Sequence, residues 1–137
     1  MKSITYNDGY KYQLKEEYSQ VIGIKPVADI VTDYVQLDRQ GTITIKNGYA
    51  WDGPSGPTFD TPSFMRGSLV HDALYQLMRG SFLDHKIHRD AADCILRDIC
   101  LEDGMWRARA WWVYQAVRRF ADPAADPSFD RPWKKAP

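Results

Sequence analysis

Pro62-Ser63-Phe64-Met65-Arg66-Gly67-Ser68-Leu69-Val70-His71-Asp72-Ala73-Leu74-Tyr75-Gln76-Leu77-Met78-Arg79 is the stretch on which the fold turns. Its apolar residues recur at spacings of three and four, the period of an α-helix. Thr61 suits a cap for the first amides, Pro62 suits the first turn, and Gly80 suits the end. The predicted helix therefore covers 62–79, with Phe64, Gly67, His71, Tyr75 and Met78 near one face.

Two further helices follow the same logic. One is predicted over 84–102, stopping near Gly104, and another over 105–120, before the Asp122-Pro123, Asp126-Pro127 and Arg131-Pro132 steps break regularity. The third carries an apolar stripe of Trp106, Ala110, Val113, Val117 and Phe120, flanked by Arg107, Arg109, Arg118 and Arg119. Trp111, Trp112 and Tyr114 widen its aromatic surface. They are expected to pack in the core, with contact to a membrane interface or a partner protein as the other use.

Upstream, residues 4–50 favour extended structure. Val31, Asp33, Val35 and Leu37 alternate with Thr32, Tyr34 and Gln36, which predicts one strand through 31–37. Asp38-Arg39-Gln40-Gly41 reads as a turn into Thr42-Ile43-Thr44-Ile45-Lys46, and Asn47-Gly48 as a second turn. Residues 49–61, rich in Gly and Pro, read as an ordered connection. Strands followed by helices predict an α+β fold, with N-terminal antiparallel strands or hairpins packed against about three C-terminal helices. The helices are expected to cover one face of the sheet. One domain over 1–137 is sufficient, with 122–137 as a Pro-rich tail that wraps or moves.

Composition narrows the function classes. Hydrophobic residues make up 44% of the chain, with five Trp, eight Tyr and five Phe, enough to build a core. Eighteen basic residues balance eighteen acidic ones, so no broad electrostatic footprint for nucleic acid exists. The first eight residues hold no secretion signal, and no apolar run approaches the roughly 18 residues of a membrane-spanning helix. Synthesis in the bacterial cytoplasm is the expectation, with later association with a particle or release at lysis compatible with it. Cys94 and Cys100 have a spacing that does not suit a disulfide.

The chemistry concentrates at His71-Asp72. Neighbours on a helix point about 100° apart, so the pair serves two directions. On the next helix Arg89 and Asp93 share a face with Leu96 and Cys100. If Asp93 packs opposite His71 it orients the ring and stabilises its protonated form, with water as nucleophile. Asp72 is then the candidate ligand for a hard metal ion. A closed hydrogen-bond network joining two helices is the alternative use of the same residues. Asp52, Ser55 and Asp60 suit backbone capping or a cation, while Trp51 suits packing beside the loop. His85 and His88 make Zn²⁺ conceivable, but neither a His-Glu-x-x-His nor a Cys-x-x-Cys motif occurs, so Zn²⁺ ranks below Ca²⁺. Cys94 reads as packed rather than nucleophilic.

Two resemblances attach to these residues. Gly48-Tyr49-Ala50-Trp51-Asp52-Gly53-Pro54-Ser55, then Val70-His71-Asp72-Ala73-Leu74-Tyr75, then Arg89-Asp90-Ala91-Ala92-Asp93 resemble the phage and prophage family DUF1353 over most of 30–120. That resemblance implies a phage origin and no established activity. Within it, His71-Asp72, Tyr75 and Asp93 resemble the centre of secreted phospholipase A2 enzymes. It implies that His71 activates water, Asp93 orients His71, Tyr75 holds the network, and Asp72 binds Ca²⁺. The disulfide framework and Gly-rich calcium loop of the animal enzymes are missing, and the turn with Asp52, Gly53 and Gly56 is expected to substitute for that loop by bringing a carboxylate and carbonyls toward Asp72.

The expectation that follows is a phage-associated, metal-dependent hydrolase acting on phospholipid. The alternative is a noncatalytic assembly or interaction module bound to a phage structural protein. No cell-wall-binding motif favours a peptidoglycan hydrolase. The sequence specifies no oligomeric state.

Overall fold

The computed structural model describes residues 4–7, 12–51 and 62–120. Among these residues seven short strands precede three helices: β1 (Tyr6–Asn7), β2 (Tyr12–Leu14), β3 (Tyr18–Val21), β4 (Ile30–Val31), β5 (Val35–Leu37), β6 (Thr42–Ile45), β7 (Ala50–Trp51), α1 (Pro62–Arg79), α2 (His85–Glu102) and α3 (Arg107–Phe120). The architecture is α+β, with every strand pair antiparallel, as the order of periodicities predicts. There are two sheets where the sequence suggested one: β1-β2-β7, and β3-β6-β5-β4.

Register explains the larger sheet. Ile45 lies opposite both Tyr18 and Val35, while Leu37 pairs with Ile43 on one side and Ile30 on the other. These six residues are all buried, so one face of the pleat is apolar and packs inward. The expected strand through 31–37 is instead a hairpin. Thr32 interrupts it: its backbone N–H and side-chain hydroxyl both donate to the Val35 carbonyl, closing a turn between β4 and β5. The inward-facing Ile30 and Val35 are five residues apart, so the alternation changes phase across the turn and Val31, expected on the face of Val35 and Leu37, is exposed. The Asp38 carboxylate accepts from the backbone N–H groups of Gln40 and Thr42, forming the predicted turn into β6.

Residues 50 and 51 were read as connection but form β7, paired with Tyr12 and Gln13. Trp51 then donates its indole N–H to the Ser68 hydroxyl at 3.0 Å, pinning the smaller sheet to α1. Asp52, Ser55, Asp60 and the Thr61 cap lie outside the described residues, as does the 122–137 tail.

Helix α1 has the predicted limits. Its end is a Schellman closure in which the Phe82 N–H reaches the Leu77 carbonyl. The left-handed residue there is Ser81 (φ 65°), one position beyond the Gly80 expected to supply it. The helix is buried nearly all round, from Phe64 to Met78, which places it between the sheets and α2. Met65, Leu69, Val70, Ala73, Leu74, Leu77 and Met78 join the buried strand residues in the main core, with Ala92 and Ile99 added from α2.

Helix α2 begins one residue later than expected because Asp84 is its cap, accepting from the Lys86 N–H at 2.9 Å. Helix α3 starts at Arg107 rather than 105 and does not cover a sheet. Its Ala110 and Val113 form a second cluster with Phe64, Leu96, Cys100 and Met105. Among the described residues, no helix is long and apolar enough to cross a membrane.

Candidate functional site at the crossing of α1 and α2

Gly67 sets the distance between α1 and α2. A Cβ there would meet the Cys100 Sγ and Leu96 Cδ1 at 3.0 Å, so the missing side chain lets the helices close. One turn further on, at the same crossing, His71 of α1 meets Asp93 of α2. His71 Nε2 lies 2.7 Å from Asp93 Oδ1, and the Tyr75 hydroxyl donates to that same oxygen at 2.5 Å. The rings of His71 and Tyr75 sit 4.1 Å apart, as an i, i+4 pair on one helix face allows.

Asp93 is 0% exposed and His71 6% exposed. A carboxylate without water needs donors, and Asp93 has at least three among the described residues. The third is Arg118 of α3, whose Nη1 lies 3.3 Å from Oδ2. Arg118 also approaches Asp90 at 3.6 Å, and the Tyr114 hydroxyl donates to Asp90 at 2.7 Å. Burial pushes the Tyr75 phenol well above its usual range, and the adjacent Asp93 pushes it further, so Tyr75 remains a donor. With Nε2–H directed to Asp93, the lone pair of the neutral ring resides on Nδ1.

Arg89, on the same helix as Asp93, lies beside the Tyr75 phenol, where its charge opposes part of the rise in the Tyr75 pKa, and it also reaches α3. Its Nη2 donates to the carbonyls of Val117 and Arg118, holding the last turn of α3 and thereby the residue that reaches Asp93. The sequence places Arg118 only as one of four arginines flanking the apolar stripe. Its role depends on how α3 crosses α2, for which the chain carries no local signal.

Arg66 was also missed. Only 2% exposed, its guanidinium donates through Nε and Nη2 to the two Asp103 oxygens, through Nη2 to Glu102, and through Nη1 to the Tyr18 hydroxyl and Gln20. A signal existed: an arginine inside an apolar helix must find partners. Burial opposes the charge, but the bonds to Asp103 and Tyr18 outweigh it and raise the Arg66 pKa.

Asp72 is half-buried on α1, turned from His71 as its position requires. Asp52 lies outside the described residues, among which no group of three or more His, Cys, Asp and Glu side chains converges. His85 and His88 belong to no such group. Cys94 and Cys100 are free thiols. Burial pushes Cys100 up to about 12, which removes it as a nucleophile at neutral pH. Trp111 and Trp112, expected in the core, stand 62% and 42% exposed, and Trp106 of the expected stripe 83%. They fall off the side of α3 that Ala110 and Val113 bury.

Two sheets, a central helix and a buried His–Asp–Tyr cluster describe an α+β protein with its polar centre at a helix crossing. A family model described as "Protein of unknown function (DUF1353)" matches residues 28–117, and the chain belongs to that family. The match contains His71, Tyr75 and Asp93, and ends one residue before Arg118. No curated protein and no solved structure matches the chain.

Proposed function

We propose that this DUF1353 protein is a phage-associated ester hydrolase, in its most concrete form a phospholipase A2-like esterase acting in host lysis or cell penetration. The observation that carries this reading is the 2.7 Å bond from His71 Nε2 to a fully buried Asp93, which also accepts from Tyr75. A base needs one ring nitrogen anchored and the other available, and this arrangement supports that division.

In the proposed reaction Nδ1 of His71 takes a proton from water as the water oxygen bonds to the ester carbonyl carbon. Asp93 stays ionised and stabilises the imidazolium. The Nδ1 proton then passes to the departing alkoxide as the C–O bond breaks, leaving a carboxylic acid and an alcohol. Tyr75 and Arg118 hold Asp93 in place throughout.

Ca²⁺ is proposed at Asp72, with Asp52 as a second carboxylate; bound there it would polarise the ester carbonyl. Ca²⁺ takes about six to eight oxygen ligands. Among the described residues Asp72 is the one donor of this pair, so no step above runs through the ion. Zn²⁺ at His85 and His88 ranks below it, since these two side chains join no larger ligand group.

The test is release of fatty acid from phospholipid by the full-length protein with Ca²⁺. His71→Ala is expected to lower kcat by roughly 10²–10⁴-fold, the usual worth of a general base, with the fold retained at a lower Tm because buried Asp93 loses a donor. Asp72→Asn is expected to weaken the calcium dependence. Absence of product from the intact protein with Ca²⁺ sinks the assignment.

A second reading is favoured by the near-closure of the cluster, since His71 is only 6% exposed. In it the network joins α1 to α2 in a noncatalytic assembly or interaction module. Stable incorporation into phage particles, with no hydrolysis of lipid or peptidoglycan, supports that reading over the first.

A further inference from the structure

Helix α3 presents large aromatic residues to solvent. Trp106 at its start, then Trp111 and Trp112, are exposed, whereas Ala110 and Val113 are buried and Val117 packs beside them. Steps of about 100° bring Trp111, Trp112, Gln115 and Arg119 round to the side opposite that stripe. All four are exposed. The segment 105–120 contains Arg107, Arg109, Arg118 and Arg119 and no carboxylate, in a chain whose charges sum to zero.

Two of these arginines are engaged within the protein. Arg118 reaches Asp90 and Asp93, and Arg109 lies over the Phe64 ring at 5.7 Å. Arg107 and Arg119 are exposed and accompany the indoles. At the start of α3 a cleft of about 220 Å³ opens between Ser63, Gly104, Met105, Trp106 and Arg109, adding a guanidinium and an indole to its wall. An indole has an apolar body and one N–H donor, a combination suited to the headgroup layer of a bilayer. Arginines without carboxylates complement an anionic surface. A second copy of the same face would set arginine against arginine.

We propose that the outer face of α3 docks the protein on an anionic phospholipid bilayer, with Trp106, Trp111 and Trp112 at headgroup depth and Arg107 and Arg119 on the phosphates. The choice of a bilayer as partner rests on the lipid-ester reading. Arg118 lies on this same helix and touches Asp93, so the docking element adjoins the His71 cluster directly.

Co-sedimentation of the full-length protein with phosphatidylcholine vesicles, and with vesicles containing phosphatidylglycerol, tests the proposal at low and high salt. Stronger partitioning onto the anionic vesicles, by roughly tenfold or more and reduced by salt, is expected. Trp111→Ser with Trp112→Ser is expected to abolish binding at unchanged Tm. Arg107→Gln with Arg119→Gln is expected to remove the anionic preference. His71→Ala is expected to bind like the wild type; vesicle binding by the wild-type protein without ester cleavage overturns the hydrolase reading and leaves docking standing. No binding to anionic vesicles at low salt overturns the docking proposal, as does wild-type binding by the tryptophan variant. A solution dimer dispersed by Trp111→Ser and Trp112→Ser assigns the face to a second copy and likewise overturns it.

Discussion

Asp93 shows how much one residue depends on its surroundings. Removed from water, the carboxylate remains tolerable because an imidazole, a phenol and a guanidinium all point at it. Each donor comes from a helix whose position is set elsewhere, and for His71 and Tyr75 that setting is Gly67. A Cβ at Gly67 would stand 3.0 Å from Cys100 Sγ and Leu96 Cδ1, and 3.3 Å from the Leu96 carbonyl oxygen. The side-chain tips can rotate away, but the carbonyl belongs to the α2 backbone and cannot. Gly67→Ala therefore forces the helices apart, and the better helix propensity of alanine offsets only about 1 kcal/mol of that strain. A net loss of about 1–3 kcal/mol is expected, read as a lower urea midpoint at constant m-value. A midpoint at or above wild type would show that Gly67 does not set the approach.

At the scale of elements, Arg66 joins three of them. It lies on α1, its carboxylate partners are the last residue of α2, Glu102, and the cap Asp103, and Tyr18 and Gln20 come from the same face of β3. Removing one partner of a buried ion pair costs about 3–5 kcal/mol, but Glu102 is exposed and Asp103 only half-buried, so water relieves part of the loss. Arg66→Met is expected to destabilise by about 2–3 kcal/mol in urea denaturation. A double-mutant cycle with Asp103→Asn should return a coupling above about 0.5 kcal/mol, and a coupling near zero would count against the pair as a tie between helices. The elements themselves were legible where punctuation was strong. Pro62 and Gly80 bounded α1, although the left-handed residue proved to be Ser81, and Asp84 marked the start of α2, because capping is local chemistry. The β4–β5 hairpin was not legible, since its break depends on Thr32 bonding across the turn. Nor was the two-sheet arrangement, which follows from β2 pairing with β7 across nearly forty residues of chain. His71 and Asp93 could be proposed as partners from residue chemistry and helical phase. Arg118 could not, because a long side chain from a third helix has no sequence spacing that announces its target. Trp111 and Trp112 were misassigned for a related reason: bulk and hydrophobicity favour burial, and only the packing of Ala110 and Val113 on α2 decides which side of α3 faces outward.

The whole molecule combines balanced charge with several acids that burial keeps protonated. Burial raises the Tyr75 and Tyr18 phenols, and it pushes the Cys100 thiol from 9.0 to about 12. In the unfolded chain these groups return to ordinary values, near 9 for the thiol and 10 for the phenols. Between the two limits the unfolded state has lost protons that the folded state still holds, so stability falls as pH rises. The stabilisation is complete below about pH 9 and lost progressively above it, at up to about 1.4 kcal/mol per pH unit for each group titrating only in the unfolded chain. Urea denaturation between pH 7 and 11 should therefore give a plateau followed by a steepening decline. Cys100→Ala isolates one contributor. It opens space beside Gly67 and lowers stability at neutral pH, but it also removes the thiol, so its curve should decline less steeply from pH 9 upward and approach or cross the wild-type curve. The slope distinguishes proton linkage from lost packing, because a cavity shifts the curve without tilting it. Parallel wild-type and Cys100→Ala curves would mean that the thiol ionises equally in both states. They would also place Cys100 in contact with water and contradict its burial between α1 and α2.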